Sequence, residues 1–451
     1  MDAQLIAKYD RRVARYTSYP TAPHFHAGVD AEVYRGWLSE IPVEAPLSLY
    51  MHIPFCGVLC WYCGCQTTVV NQYGPVAGYL ENLRRELDLL LDVLGDGRPV
   101  SALHWGGGTP NMLNPDDIRG WASLLKSRFA FQLGHEFSIE IDPRLLTEDQ
   151  VAAFADAGVT RLSFGVQDFD AKVQKAINRI QPFDKTRQSV DWFRAAGVTK
   201  VNFDLLYGLP YQTVETIERT VDQAMELNPD RIALFGYAHV PWMRKHQMLI
   251  DEAVLPGAEA RLEMARAAVQ RIESHGMVAI GLDHFARPDD SLTVAQRQGR
   301  LRRNFQGYTD DPCDVLLGLG ASSIGSLPQG YVQNLPDVQN WRAALQQGRL
   351  PVARGAALSA DDKLRRAVIE RLMCDLTVDL ADLCRRHGMP EDYLDGCLAD
   401  LLGQMEDGLV VVEGRIVTVP EQQRQWVRIP AAAFDAYFSE SPDQPRHARA
   451  I

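Results

Sequence analysis

Residues 50–68 read Tyr-Met-His-Ile-Pro-Phe-Cys-Gly-Val-Leu-Cys-Trp-Tyr-Cys-Gly-Cys-Gln-Thr-Thr. Four of the chain's eight cysteines fall here, at Cys56, Cys60, Cys63 and Cys65, spaced C-x3-C-x2-C-x-C. They follow an apolar run, 47–53, that reads as a strand. Three thiolates on a loop too tight to be regular suit a soft metal centre. A zinc knuckle would want four ligands, usually as two separated pairs. A disulfide framework fits poorly a long chain with no export signal.

Outward from this loop, strand-like runs alternate with helical stretches. Six apolar runs, at 47–53, 101–105, 135–141, 161–166, 200–206 and 231–235, read as parallel strands. Residues 75–95 show the helical pattern best: Pro75 opens it, Val76, Leu80, Leu83, Leu87 and Leu91 share a face, and Gly95 ends it. Repeated βα units give either a doubly wound sheet or a barrel, and periodicity does not choose between them.

Unusual residues collect where these strands end. The second run ends in HWGGGTP, residues 104–110. It is neither a Walker A loop nor a dinucleotide fingerprint, and its glycines predict that a ligand approaches bare backbone N–H groups. A tight turn is the plainer reading. The third run, FSIEIDPR, puts Glu140 and Asp142 on one face by period two. The fourth ends with Gln167, and Arg179 follows in INRIQ. Asp204 sits among apolar neighbours in FDLLYGLP, where a carboxylate needs a partner such as a ribose diol. The sixth ends in FGYAHVPW, with Ala238 and His239.

Composition sets the bounds. The chain has 451 residues, 46% hydrophobic and 23% charged, an ordinary globular balance. No run approaches a membrane span, and the N-terminus carries charges where a signal peptide needs apolar residues, so a cytoplasmic protein is expected. Net charge is −12, which argues against nucleic acid as the main partner. Cys313, Cys374, Cys384 and Cys397 are scattered and read as structural thiols.

Three regions complete the map. Residues 1–46 read as an N-terminal arm, in which RRVARYTSYPTAPHF either packs on the body or brings Arg11, Arg12 or Arg15 to a carboxylate. DAEVYRGWLSEI then reads as a short helix. Residues 47–350 form the α/β body with its extension. Near its end, GLDHFARPDD and RRNFQGYT carry Arg287, Arg302 and Arg303, candidates for a positive patch or simply solvated charge, and GLGASSIGS reads as a glycine-rich loop closing over a cofactor. Residues 351–451 begin with a linker-like PVARGAALSA. Helical patterns near 361–374, 378–386 and 390–405 follow, then a hairpin, LVVVEGRIVTV, turning at Glu413-Gly414, which together suggest a winged-helix-like module.

C-x3-C-x2-C after a first strand, the added Cys65, and the flanking YMHIPFC and WYCGC resemble the oxygen-independent coproporphyrinogen III oxidases of the radical S-adenosylmethionine (SAM) superfamily. The resemblance covers nearly the whole chain. It implies a six-stranded partial (β/α) barrel, with chemistry at the C-terminal strand ends. It implies one 4Fe–4S cluster on Cys56, Cys60 and Cys63, its fourth iron open to SAM, with Cys65 a free thiol near the substrate or a second SAM. The Gly106-Gly107-Gly108-Thr109 loop looks like the superfamily's SAM-binding loop. Tyr50, Gly107, Glu140 and Ile324 match positions lining the cluster-bound SAM. Tyr62, Gly108, Thr109, Gln167, Arg179, Asp204 and Ala238 match those around a second. The implied reaction is oxidative decarboxylation of two propionates of coproporphyrinogen III to vinyl groups, giving protoporphyrinogen IX in haem biosynthesis. A low-potential donor of ferredoxin or flavodoxin type would supply electrons to a monomeric enzyme. Four propionates meeting an acidic protein require a local cationic cluster. Two alternatives are a haem chaperone of the same family and a radical SAM enzyme acting on another tetrapyrrole. The chaperones typically lack a cysteine at the position of Cys65 and much of the RYTSYPTA arm, and both features favour the oxidase.

Overall fold

The computed structural model describes residues 2–438 and 449. Its centre is a twelve-stranded mixed sheet. Six strands run parallel in chain order: β1 (Leu47–Ile53), β2 (Arg98–Gly107), β3 (Phe129–Ile141), β4 (Arg161–Gln167), β5 (Lys200–Tyr207) and β6 (Arg231–Gly236). β7 (Val278–Ile280) and β8 (His284–Ala286) extend the sheet antiparallel beyond β6. On the other flank β9 (Leu316–Leu319) lies parallel to β1. β10 (Ile324–Leu327), β11 (Gly330–Asn334) and β12 (Val352–Ala357) continue from it as an antiparallel meander. The strand–helix alternation read from the sequence is borne out, and the in-order parallel arrangement of β1–β6 is the one that the resemblance, rather than periodicity, implied.

The strands obey a period of two that sorts chemistry by face. In β1, Leu47, Leu49, Met51 and Ile53 are fully buried in the main hydrophobic core beneath the helices. Ser48, Tyr50 and His52 alternate with them and point to the other side. Continued across the sheet, that second face carries His104, Ser138, Glu140, Ser163, Asn202 and Asp204. These side chains hydrogen-bond to one another. His104 Nδ1 meets Ser138 Oγ at 2.7 Å, and Asn202 donates to Asp204 at 2.9 Å. The sheet therefore has one apolar face sealed by helices and one polar face available for a site.

The first crossover helix spans Gly74–Leu94. All five predicted face residues are buried, and Gly95 caps it at φ 76°. The Ala31–Ser39 helix is capped by the Asp30 carboxylate on the N–H groups of Glu32 and Val33.

The C-terminal region packs a second core. Leu364, Val368, Leu372, Trp426 and Phe434 gather there together with Leu5, Tyr9, Val13, Tyr16 and Tyr19 from the chain's beginning. The 377–379, 411–413 and 416–418 strands form its small sheet. Helices Ala360–Asp375 and Leu380–Arg386 lie where expected. The pattern at 390–405 is broken instead into Asp395–Leu398, a 3-10 turn and Leu402–Glu406, consistent with helix-weakening Gly396 and Gly403 inside it. The linker-like 351–360 stretch also differs: Val352–Ala357 is edge strand β12, hydrogen-bonded to β11. Its small residues read as flexible in isolation, but Gly355 lies where a Cβ would meet the Tyr331 carbonyl at 2.2 Å.

Candidate active site

The cysteine loop leaves β1 at Ile53 and is pinned at both ends. Phe55–Cys56 pairs with Thr68–Val69, and the Thr68 N–H donates to the Pro54 carbonyl at 2.7 Å. Its far side rests on the segment after the short Ala171–Ala176 helix. Trp61 N–H donates to the Ile177 carbonyl at 2.9 Å, and the Asn178 amide donates to the Leu59 carbonyl at 2.8 Å. The 240s segment closes the loop from above: Gln247 donates to the Tyr62 carbonyl at 2.9 Å, and His246 Nε2 lies 2.7 Å from the Cys63 carbonyl.

Each of the three leading sulfurs already receives a donor. Thr67 Oγ1 donates to Cys56 Sγ at 3.3 Å, and the Cys65 N–H to Cys63 Sγ at 3.4 Å. Cys60 Sγ accepts from two guanidiniums, Arg144 at 3.3 Å and Arg179 at 3.4 Å. Such surroundings favour thiolate. Cys63 is pushed down to about 6, first by its hydrogen bond with Cys65, whose own thiol is driven up in return. Burial instead pushes Cys56 up to about 11. Among the described residues, no three His, Cys, Asp or Glu side chains are grouped to hold a single metal ion. A cubane attaches each cysteine to a different iron, so a soft donor set spread over a loop suits it.

Behind Cys60 stands a compact charge group that sequence reasoning saw only in part. Arg144 forms an ion pair with Asp142 at 2.6 Å, and Arg179 approaches the same carboxylate at 3.5 Å. Burial opposes ionisation, yet Arg179 and Arg144 hold Asp142 down at about 2. Arg144 was missed. Its signal was the DPR that directly follows β3, in which Arg144 stands two residues after Asp142.

The glycine loop crosses directly beneath the cysteines. A Cβ on Gly108 would lie 2.3 Å from the Phe55 carbonyl oxygen, and one on Gly107 would lie 2.6 Å from the His52 ring. Its N–H groups are not bare, contrary to expectation. Gly107 donates to Glu140 Oε2 at 3.0 Å, Gly108 to the Ile53 carbonyl at 2.8 Å, and Thr109 to the Phe55 carbonyl at 2.9 Å. The glycines provide close approach between loops rather than donors. Thr109 is buried, and its hydroxyl accepts from the Asp142 N–H at 3.1 Å.

Glu140 also meets His104 Nε2 at 3.1 Å. Burial works against its charge, but His104, the Gly107 N–H and His52 together outweigh it and the carboxyl lies below its ordinary range. His104 stacks on Tyr50, centroids 5.6 Å apart, and the Tyr50 hydroxyl is 2.8 Å from His52 Nδ1. Burial lowers His52, which is therefore neutral near pH 7. Tyr50 is in register with Gly318 of β9, and Ile324 packs just beyond it. Asp204 accepts from Ser163 at 3.0 Å and is pushed up to about 6 by burial. Gln167 ends β4 at φ 69°, and Arg179 donates to the Gly165 carbonyl beside it. The Ala238 carbonyl accepts from Gln247 at 3.3 Å.

The three candidate substrate arginines are dispersed. Arg287 donates to the Pro229 carbonyl at 2.9 Å, at the N-terminal end of β6 and so at the opposite end of the sheet from the cysteines. Arg302 is committed to the Pro312 carbonyl at 2.9 Å and to Asp314 at 3.1 Å. Only Arg303 reaches the strand-end side, pairing with Asp283 at 3.3 Å. Asp283 borders a cavity of about 1010 Å3 beside the ends of β5 and β6.

A strand-end site of three thiols above a glycine loop, on this sheet, defines a radical SAM enzyme, and the sequence profile described as the Radical SAM superfamily matches residues 50–224. An oxygen-independent coproporphyrinogen III oxidase of Bradyrhizobium diazoefficiens is 46% identical over 452 residues, covering 100% of both chains. One of Paracoccus denitrificans is 44% identical, covering 96% of each. The solved coproporphyrinogen III oxidase of Escherichia coli, described as a radical SAM enzyme, superposes with a TM-score of 0.90 at 38% identity, covering 95% of this chain and 100% of that one. The chain belongs to the oxygen-independent coproporphyrinogen III oxidase family. Among the described residues no helix is long and apolar enough to cross a membrane.

Proposed function

We infer that the chain carries out its family's reaction, the oxygen-independent oxidative decarboxylation of two coproporphyrinogen III propionates to vinyl groups, giving protoporphyrinogen IX. For each propionate, one hydrogen atom leaves the side chain, the carboxylate leaves as carbon dioxide, and one electron passes to an acceptor. The observation that carries this reading is the gathering of Cys56, Cys60 and Cys63 at the same strand-end rim as Glu140 and Asp204.

Cys56, Cys60 and Cys63 would hold a 4Fe–4S cluster, and the donors on their sulfurs suit that charge. With SAM, such a cluster supplies a primary carbon radical able to take hydrogen from an unactivated carbon. The chain's own residues position and shield. Tyr50, Gly107, Glu140 and Ile324 line the place for the cluster-bound SAM, with Glu140 held ionised to accept from an ammonium or a ribose. Tyr62, Gly108, Thr109, Gln167, Arg179, Asp204 and Ala238 line the place for a second SAM. Cys65, exposed and hydrogen-bonded to Cys63, stays outside the ligand set and acts near the substrate. The 240s segment excludes water by closing on Tyr62 and Cys63.

A cytoplasmic monomer fed by a ferredoxin- or flavodoxin-type donor completes the proposal, with an arm over 1–46, a barrel over 47–350 that the β12 strand, Val352–Ala357, extends, and the rest of 351–451 as a module. The test is anaerobic incubation of the reconstituted protein with reduced donor, SAM and coproporphyrinogen III, followed by porphyrin analysis. Protoporphyrin after oxidation is the expected result, and retained haem with no vinyl product overturns the reading. Within it, Cys65→Ser is expected to keep its iron and lose decarboxylation; equal loss of iron would make Cys65 a ligand.

A further inference from the structure

The cavity of about 1010 Å3 lies where the N-terminal arm, the ends of β5 and β6, the Ala258–Ser274 helix and the 421–428 segment meet. Its volume suits a tetrapyrrole rather than a fragment of one. One wall is apolar: Phe235, Leu255 and the half-exposed Trp242. Another wall is shared with the site already described, since Ala238 and His239 line the cavity while Gln247 ties Ala238 to Tyr62 in the cysteine loop.

The remaining walls are strongly cationic. Seven arginines and four carboxylates line the cavity of a protein whose net charge is −12. Arg15 enters from the arm, donates to the Gly236 carbonyl at 2.8 Å, and packs over Phe235 at 5.8 Å. Arg261 donates to the Tyr237 carbonyl at 2.8 Å, and its buried Nε has no hydrogen-bond partner. Arg428 lines the same place, and Arg303, outside the lining, pairs with the lining carboxylate Asp283 at 3.3 Å; the four guanidiniums act on Asp283 or on one another. Burial, and then the like charge of Arg15, push Arg428 down to about 10. Arginines that outnumber the carboxylates around an opening are the arrangement that a polycarboxylate ligand relieves.

We propose that this cavity is the seat of the tetrapyrrole, with Arg15 and Arg261 taking propionate carboxylates that are not being decarboxylated while the macrocycle lies against Trp242 and Phe235. The assignment rests on the decarboxylase reading and names the residues that position its substrate. It makes Arg15 a positioning residue brought to the barrel by an arm whose interior side chains belong to the C-terminal module.

The test uses the reconstituted holoenzyme under anaerobic conditions, with coproporphyrin III and its tetramethyl ester as fluorescent probes. The wild type is expected to bind the tetraacid and not the ester. Arg15→Gln and Arg261→Gln are each expected to raise the Kd for the tetraacid, and the KM for coproporphyrinogen III, about tenfold. SAM cleavage without substrate, iron content and Tm should stay as in the wild type. Arg15→Lys should recover part of the affinity. Arg287→Gln, on the opposite end of the sheet, should change nothing. If the wild type converts coproporphyrinogen III but both glutamine variants bind within twofold of it, the seat is elsewhere and the decarboxylase reading survives. Equal binding of acid and ester likewise overturns the carboxylate role alone. If the wild type neither binds nor converts the tetrapyrrole, both readings fall.

Discussion

Two groups of arginines face the strand-end rim, and they are balanced differently. Around Cys60, Arg144 and Arg179 are met by the Asp142 carboxylate and a sulfur, so the charges nearly cancel within hydrogen-bonding distance. At the cavity, Arg15, Arg261 and Arg428 are among seven arginines lined up with four carboxylates, and one of those carboxylates, Asp283, is already paired with Arg303. Both groups hold their acid below its ordinary range. The first is complete as it stands, and its work is to fix the cysteine loop and hold thiolate charge. The second carries surplus positive charge at an opening, which is how a protein of net charge −12 can receive an anion.

The largest expected effect falls on the balanced group. Cys60→Ser removes its sulfur, and the variant should lose the iron–sulfur absorption and all reductive SAM cleavage; a fully loaded variant would refute the ligand assignment. Next, Arg179→Met leaves Asp142 buried with Arg144 as its one guanidinium partner. Leaving a buried charge wholly unpaired costs about 3–5 kcal/mol, and with the closer Arg144 retained the loss should be a part of that, a drop of several degrees in thermal melts. A melt near that of the wild type would show that Asp142 does not depend on Arg179. At the unbalanced group the expected effect is smaller and needs no mutation. Raising KCl from about 0.05 to about 0.5 M screens an open cationic cavity, so the KM for coproporphyrinogen III should rise several-fold. Iron content and uncoupled SAM cleavage should stay flat, because charges packed within the loop are little screened.

The smallest expected effect concerns Asp204, which stands between the two groups without an arginine. Its carboxyl is pushed up to about 6, so the stability it contributes is fully present only below its unfolded value and is lost as pH rises through about 6. Relative to Asp204→Asn, the wild type should therefore lose about 1 kcal/mol between about pH 5 and about pH 8 in denaturant melts. Parallel pH profiles would place its proton elsewhere.

Much of this was legible because it is local. Six apolar runs and a cysteine spacing located the sheet and the loop, and the period of two in FSIEIDPR put Glu140 on the site face. What escaped depends on distant chain. Arg287 and Arg303 are sixteen residues apart in one basic, aromatic stretch, yet one caps the far end of β6 and the other pairs with Asp283. Arg15 and Arg428 are separated by most of the chain and act at the same cavity. The HWGGGTP loop reads as donor-rich from its glycines, but the neighbouring carbonyls and Glu140 that occupy its N–H groups come from other strands. Val352–Ala357 reads as a linker because its strand character comes from β11 rather than from its own side chains.

The anchoring of Leu5, Val13, Tyr16 and Tyr19 inside the C-terminal core has a practical corollary. Removing the first twenty residues would not trim a loose leader. It would unroof a hydrophobic interior and withdraw Arg15 in one stroke, so a dead truncation says nothing about which loss killed it. Point changes at Arg15 keep the fastening and isolate the charge.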